Sequence, residues 1–247
     1  MALRGQTSQP PSLRATARER SHRVGYSEKY VRELPRRARC TPLRIRIRFV
    51  QMPLGPWARQ LYLKSRGTFI RRRADVVELE REATGGTWGL LPWFAKTPEI
   101  KFDTVNARSE TVATSASYKA PWARGQRCIV PMDAFFEPNW ETGKHIRWKF
   151  SRRDGAPIAV AGLWERWRGK GDQEIVSYTL LTVNADDHPL MSRMHRPGQE
   201  KRMLALLDPA EYDEWLGRWR NGLRGCAYSL PTTMSMRHRR WRAFCLT

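Results

Sequence analysis

Two apolar runs in the second half of the chain constrain its fold more than any other feature. Ile158–Trp164 and Tyr178–Val183 are almost continuously apolar. Strands that are covered on both faces have this pattern, so both runs are predicted to be buried strands. Cys128–Pro131 and Ala134–Glu137 have the pattern of shorter strands, and His145–Phe150 alternates apolar and basic residues as a half-exposed strand does.

Helices are predicted at two places among these strands. Thr111–Arg124 has possible N-cap residues near its start, and Gly125 is a stop signal. A second helix begins at Asp208, because Asp208 can cap it and Pro209 suits its first turn. A further strand, Thr87–Trp93, is predicted to run into a turn at Pro92. Several short strands with a few flanking helices predict an α+β domain built on a mixed, curved, barrel-like β-sheet.

The charge of the chain is high and uneven. Its 247 residues carry a formal net charge of +21, from 45 basic and 24 acidic residues. Such a surface attracts polyanions, and nucleic acid is the usual one. A membrane surface would also attract it, but the sequence has no apolar run for a spanning helix and no signal-peptide core. A cytoplasmic location without membrane association is therefore expected.

Most of the excess charge lies at the start of the chain. Residues 1–73 hold 19 basic and 3 acidic residues. Residues 1–23 lack an apolar period, and residues 1–40 are predicted to be a disordered basic segment or a misassigned start or reading frame. If the segment is a tail, it could bind the DNA backbone or be only a solvated tail. Residues 41–247 are predicted to form the folded domain.

The cysteines do not predict a metal site. Cys40, Cys128, Cys226 and Cys245 include no CxxC pair, so neither zinc nor another cofactor is expected. Cys128 lies in a predicted buried strand, where the thiol is expected to be inert. The eleven Trp residues are mostly expected in the core, although exposed ones could stack on bases.

Three segments hold side chains suited to chemistry. Asn106 could orient a carbonyl or aldehyde oxygen and Arg108 could clamp a phosphate, although a polar loop before a helix would look the same. Glu137 follows two aromatic residues and suits a general acid or base, unless it is an exposed residue at a strand end. His195 is followed by Arg-Pro, which indicates a loop, and a histidine there suits a proton shuttle.

Five motifs together resemble one family, the SOS-response-associated peptidase (SRAP) domain. The resemblance covers about Gly86 to Trp215, and the motifs stand in the family's order and rough spacing. They are Trp88-Gly-Leu-Leu-Pro-Trp-Phe-Ala, Asn106-Ala-Arg-Ser-Glu-Thr, Cys128-Ile-Val-Pro-Met-Asp-Ala-Phe-Phe-Glu-Pro, Leu181-Thr-Val-Asn-Ala-Asp and His188-Pro-Leu-Met-Ser-Arg-Met-His-Arg-Pro.

The resemblance implies a function and a set of site residues. Family members bind single-stranded DNA and junctions, and a cysteine exposed by removal of the initiator Met captures the aldehyde of an abasic site as a thiazolidine. The resemblance assigns catalytic roles to Asn106, Glu137 and His195, and it implies phosphate contact by Arg108. Trp88 and Trp93 are similar to the residues of the family loop that wedges against bases. The protein is expected to act as a monomer.

The start of the chain departs from the family pattern. Residue 2 is Ala where the family has its nucleophilic cysteine, and Cys40 is internal and has no free α-amine. Val24–Val31 resembles family openings of the type Met-Cys-Tyr-Ser, with Gly25 where the cysteine would stand. The nucleophile is thus either hidden by a misread start or lost.

Three functions remain open on this basis. The first is an abasic-site sensor with the autopeptidase or crosslink-reversal activity that the family suggests. The second is a nucleophile-less module that holds single-stranded DNA by charge and stacking. The third is a general hydrolase that uses Glu137 and His195 on small esters or peptides, although the sequence shows no nucleophile elbow or metal motif.

Overall fold

The strands of the computed structural model account for most of its regular structure. It describes residues 60–73 and 81–217, with the short strand stretches 32–33, 47–48 and 244–246. Gly25, Cys40 and the other residues of 1–40 apart from 32–33 lie outside the described residues. The strands are β1 Arg32–Glu33, β2 Ile47–Arg48, β3 Gln60–Leu61, β4 Arg66–Arg72, β5 Arg81–Trp88, β6 Asn106–Arg108, β7 Arg127–Met132, β8 Ala134–Asn139, β9 Ile146–Arg152, β10 Ile158–Arg168, β11 Glu174–Asn184, β12 Arg202–Leu204 and β13 Phe244–Leu246. The helices are α1 Lys119–Ala123 and α2 Tyr212–Gly217, with 3₁₀ turns at Met191–Arg193 and Pro209–Glu211.

Five of these strands close into a barrel. β5 pairs with β4, β4 with β7, β7 with β10 and β10 with β11, all antiparallel, and β11 returns to β5 in a parallel pairing. Strand directions cannot alternate all the way round a ring of five, so at least one pair in it must be parallel. The predicted α+β class with a mixed, barrel-like sheet is confirmed.

β8 leads the chain out of the barrel into a second sheet. It follows β7 after a single residue and forms an antiparallel hairpin with β9. The strand order of this sheet is β13-β9-β8-β1-β3. The paired residues Phe135 and Phe150 stack with ring centroids 5.1 Å apart, which fastens the base of the hairpin.

The two apolar runs that were predicted to be buried strands form two neighbouring strands in the wall of the barrel. They are β10 and β11, each extended to 11 residues, and they pair with each other. The predicted strands at Cys128–Pro131, Ala134–Glu137 and His145–Phe150 correspond to β7, β8 and β9. The strand predicted over Thr87–Trp93 instead ends at Trp88, because the chain turns at Gly89 with φ +122°.

The helix predicted from Thr111 to Arg124 is mostly wrong. Only Lys119–Ala123 is helical, and turns precede it. Pro121 is the reason, since proline has no N–H to donate and is tolerated only in the first turn of a helix. The helix that was predicted to begin at Asp208 does so, and Asp208 and Glu211 form a capping box. No helix in the described part of the chain is both long and apolar enough to cross a membrane.

A substitution at Gly162 tests how tightly the barrel strands are packed. A Cβ atom at Gly162 would lie 2.6 Å from the Thr179 carbonyl oxygen and 3.0 Å from the Cys128 Sγ. We expect Gly162→Ala to lower the free energy of unfolding by about 2–3 kcal/mol, because backbone and buried sulfur must both shift. Denaturant titration measures the loss. The control Gly155→Ala lies in an exposed turn with φ +66° and open space around the Cβ, so it should cost only about 1 kcal/mol; equal losses would contradict this account.

Candidate functional site

Glu137 and His195 form a buried acid–histidine pair. His195 Nε2 lies 3.6 Å from Glu137 Oε2, and the two side chains are only 6% and 3% exposed. Glu137 is therefore not an exposed residue at a strand end, the alternative that its sequence left open. His195 lies in a loop as predicted, after the turn Met191–Arg193, but the loop is folded inward and its ring is in the core.

The backbone of His195 is held in an unfavourable conformation. Its φ is +61°, one of two positive values among the described non-glycine residues. Its N–H donates to the Pro138 carbonyl at 2.7 Å, and Lys201 Nζ donates to its carbonyl at 3.2 Å. These contacts fix a left-handed residue that would otherwise cost about 1–2 kcal/mol. Such fixed strain is common where a side chain must be aimed.

The orientation of the imidazole identifies which nitrogen carries a proton. His195 Nε2 lies 3.0 Å from the Arg202 carbonyl oxygen. A carbonyl can only accept, so Nε2 is the donor in this contact. Glu137 Oε2 lies 3.6 Å from the same nitrogen, which is an ion-pair distance and slightly beyond a hydrogen bond. The pair thus places a proton donor beside a carboxylate in a site largely closed to water.

The hairpin β8–β9 and the loop around His195 are clamped together. Asn139 and Met194 form an isolated β-bridge, and Asn139 Nδ2 donates to the Arg193 carbonyl at 3.3 Å. Arg193 in turn pairs with Glu141 at 2.7 Å and lies over Trp148, which is the residue opposite Glu137 in the register of the hairpin. Glu137 is therefore held between an aromatic residue and the histidine loop.

Asn106 and Arg108 lie on β6, at the edge of β11. β6 runs parallel to Leu180–Thr182 of β11, so the predicted polar loop is in fact a short strand. Ala107 between them is fully buried, and strand alternation places Asn106 and Arg108 on the other face. Among the described residues, Asn106 Oδ1 is buried and has no hydrogen-bond partner.

Tyr118 secures the backbone of Asn106. Its hydroxyl donates to the Asn106 carbonyl at 3.1 Å. Burial, reinforced by the charge of Asp103, raises the pKa of Tyr118 to about 12. The phenol therefore keeps its proton at neutral pH and remains a donor.

Arg108 ends a charged row that sequence reasoning did not identify. The row consists of Glu110, Arg202, Glu200 and Arg108. Arg202 donates to Glu110 at 2.8 Å and to Glu200 at 2.8 Å, and Arg108 pairs with Glu200. Arg202 also accepts the His195 contact through its carbonyl, so β12 connects the row to the buried pair. The signal in the sequence was only a charged stretch after His195.

The two predicted base-contacting tryptophans differ in exposure. Trp88 is 1% exposed and its indole N–H donates to the Val105 carbonyl at 3.0 Å. The indole of Trp88 is thus enclosed in the core in this structure, and the DNA contact predicted for it stays a prediction. Trp93 is 59% exposed and meets the exposed Phe94 edge to face at 5.9 Å. Phe94 was missed because its neighbours in the sequence are equally apolar.

The structure thus brings together some of the predicted residues. It joins Glu137 with His195, and it places Asn106 and Arg108 on a neighbouring strand that reaches the pair through β11 and β12. The convergence of Asn106 on the same pocket stays a prediction. Within residues 60–73 and 81–217, no cluster of three or more His, Cys, Asp or Glu residues is arranged to hold a metal ion.

Two curated proteins are similar to this chain in sequence over about half of its length. Abasic site processing protein YoqW of Bacillus subtilis is 31% identical over 134 residues, covering 52% of this chain and 54% of that protein. Abasic site processing protein HMCES of Gallus gallus is 30% identical over 167 residues, covering 58% of this chain and 47% of that protein. The chain spans about half the length of the curated relatives it matches.

A solved structure extends the similarity to most of the fold. The crystal structure of a protein from Bordetella bronchiseptica has a TM-score of 0.69 at 33% identity, covering 88% of this chain and 97% of that one. The family model described as SOS response associated peptidase (SRAP) matches residues 59–239, nearly three quarters of the sequence. The chain is therefore a member of the SOS response associated peptidase family.

Proposed function

We propose that this protein binds DNA at abasic sites and processes them, with Glu137 and His195 moving the protons. The buried Glu137–His195 pair carries this proposal, because it places an imidazole and a carboxylate 3.6 Å apart in a site largely closed to water, within a family domain. The relatives named abasic site processing protein support the choice of substrate. Single-stranded or junction DNA is the proposed form, since an abasic sugar is more accessible there.

The chemistry of an abasic site suits these groups. Its ring-opened sugar presents an aldehyde, and capture of that aldehyde by an amine needs proton transfer to and from oxygen and nitrogen. The imidazole of His195 and the carboxylate of Glu137 are groups that can supply and accept these protons. The amide of Asn106, whose oxygen lacks a partner among the described residues, suits a hydroxyl of the sugar.

The surface around the site suits a DNA strand. Trp93 and Phe94 expose aromatic faces on the loop between β5 and β6, and stacking on bases is the usual use of such residues in single-strand binding. Arg108 is exposed and can contact phosphate. The net charge of +21 supplies long-range attraction.

The second candidate function is a binding module without a nucleophile. Among the side chains that the structure describes, the one thiol is that of Cys128, which is buried in β7. A thiol at that position cannot reach a DNA aldehyde. Cys128 is therefore not the nucleophile of a covalent capture, and reaction with abasic DNA distinguishes the two functions.

The buried pair is tested by substitution. We expect Glu137→Gln and His195→Ala to slow consumption of an oligonucleotide with one abasic site by about 100-fold or more, because general acid–base groups contribute that much. Denaturing gels measure consumption as cleaved strand plus adduct. Asp172→Asn, in the exposed turn between β10 and β11, is the control and should match the parent. Folded variants that react at the parent rate would remove the pair from the mechanism; a parent that binds but consumes nothing would support the binding module.

The phosphate contact is tested by salt. We expect log K for single-stranded DNA to fall linearly with log salt, and Arg108→Ala to reduce the magnitude of that slope by at most about 0.7, the value for one full phosphate contact. The loss of affinity should be similar for all base sequences, because phosphate contacts carry little base information. Fluorescence anisotropy measures both. An unchanged slope in the variant would show that Arg108 does not contact phosphate.

Reaction with abasic DNA tests whether the protein forms a thiazolidine adduct. A thiazolidine needs the amine and the thiol of one N-terminal cysteine, and Ala2 offers no sulfur. We expect no heat-stable adduct with abasic DNA, whereas a variant that begins with Met followed by Cys in place of Gly25 should form one after Met removal. Mass spectrometry identifies the product. A denaturation-stable adduct of the unaltered chain would mean that another residue is the nucleophile.

A further inference from the structure

Arg108 is occupied by a carboxylate of the same chain. Its Nη1 pairs with Glu200 Oε2, although 57% of the Arg108 side chain and 34% of the Glu200 side chain remain exposed. Glu200 comes from the segment between His195 and β12, which is 92 residues away in the chain. The contact is therefore made by the tertiary fold, at the place where the proposed DNA phosphate would bind.

Glu200 has hydrogen-bond donors other than Arg108. It accepts hydrogen bonds from Arg202 at 2.8 Å and from Asn184 at 3.4 Å. These donors remain available to it if Arg108 turns away. Hydrogen bonds from Arg202 and Arg108 hold the pKa of Glu200 below its usual value, so it is charged at neutral pH.

Arg202 does not depend on Glu200 in the same way. Its Nη2 donates to Glu110 at 2.8 Å and to the Thr182 carbonyl at 2.8 Å, and its side chain is only 14% exposed. Arg202 is thus a fixed structural cation that already has a carboxylate partner. Arg108 is the exposed and movable cation of the row.

We propose that Glu200 competes with DNA phosphate for Arg108 and thereby sets the affinity of the protein for DNA. This rests on the proposed DNA-binding function. Carboxylate and phosphate oxygens accept from the same donors of a guanidinium. Exposed ion pairs are weak, so a phosphate can displace Glu200. The displaced carboxylate stays nearby, held by Arg202 and Asn184, and it can return to Arg108 when the phosphate leaves.

Such competition has a use in a chain with a net charge of +21. A protein this basic binds any DNA backbone by counterion release. A built-in anion at the phosphate contact lowers affinity for all DNA alike, so that binding persists only where further contacts form. Glu200 therefore affects DNA binding through its ion pair with Arg108, and the proposal gives it no contact with the sugar.

The test measures binding of an unmodified oligo-dT strand by fluorescence anisotropy at several salt concentrations. We expect Glu200→Gln to tighten binding about threefold near 0.1 M salt, within the range that one exposed ion pair can change. We also expect the salt slope to steepen, because Arg108 then contacts phosphate in full; this gain and the loss caused by Arg108→Ala in the parent should together come to about 0.7, the value for one phosphate contact. In an Arg108→Ala background the same substitution should change neither quantity.

Glu174→Gln is the matched control. Glu174 is also an exposed carboxylate between two arginines, Arg166 and Arg168. It lies at the opposite end of β11 from Asn184, about 30 Å away at 3.3 Å per residue, which is well beyond the screening length. It makes the same change in net charge without touching Arg108, so it should leave affinity almost unchanged.

Each outcome decides the matter. Equal tightening by Glu200→Gln and Glu174→Gln, or tightening that persists without Arg108, would show a general charge effect and overturn the role of Glu200. Parent affinity retained by a folded Glu200→Gln variant would overturn it as well, while leaving DNA binding intact. Failure of the parent protein to bind DNA even at low salt would instead defeat the proposed function.

Discussion

Strand β11 is the element on which the rest of the structure depends. Along one edge it pairs first with β10 and then with β12, and along the other it pairs first with β5 and then with β6. Its pairing with β5 closes the barrel. The last residues of β11 pair with β6 on one edge and with β12 on the other. These two pairings together position Asn106, Arg108 and Arg202. One strand therefore supplies both the closure of the fold and the frame of the candidate site.

The two residues of the buried pair, Glu137 and His195, come from two elements that are distant in the sequence. Glu137 comes from the hairpin of the second sheet, and His195 comes from the loop that leads into β12. Neither could hold the geometry alone, because His195 has a left-handed backbone that needs the Pro138 carbonyl and Lys201 to fix it. The strain is located at the residue whose ring must be aimed, which is where a functional site tolerates it.

The fold was largely predictable from local patterns. The apolar runs at Ile158–Trp164 and Tyr178–Val183 predicted buried strands because burial on both faces leaves a continuous apolar pattern in the sequence. The start of the helix at Asp208 was predictable because capping depends on neighbouring residues. The helix predicted from Thr111 forms only from Lys119, because Pro121 is tolerated only in the first turn of a helix.

The residue types of the candidate site were also evident from the sequence, but their environments were not. The motifs around Asn106, Glu137 and His195 stand in one order along the chain and indicate the family. Burial of Trp88, exposure of Phe94 and the contact between Glu200 and Arg108 depend on strands that are distant in sequence. The sequence by itself determined which strands are buried and which chemical groups are present. Only the tertiary structure decided which groups meet, because β11 pairs with segments up to about 90 residues away and no local pattern records that register.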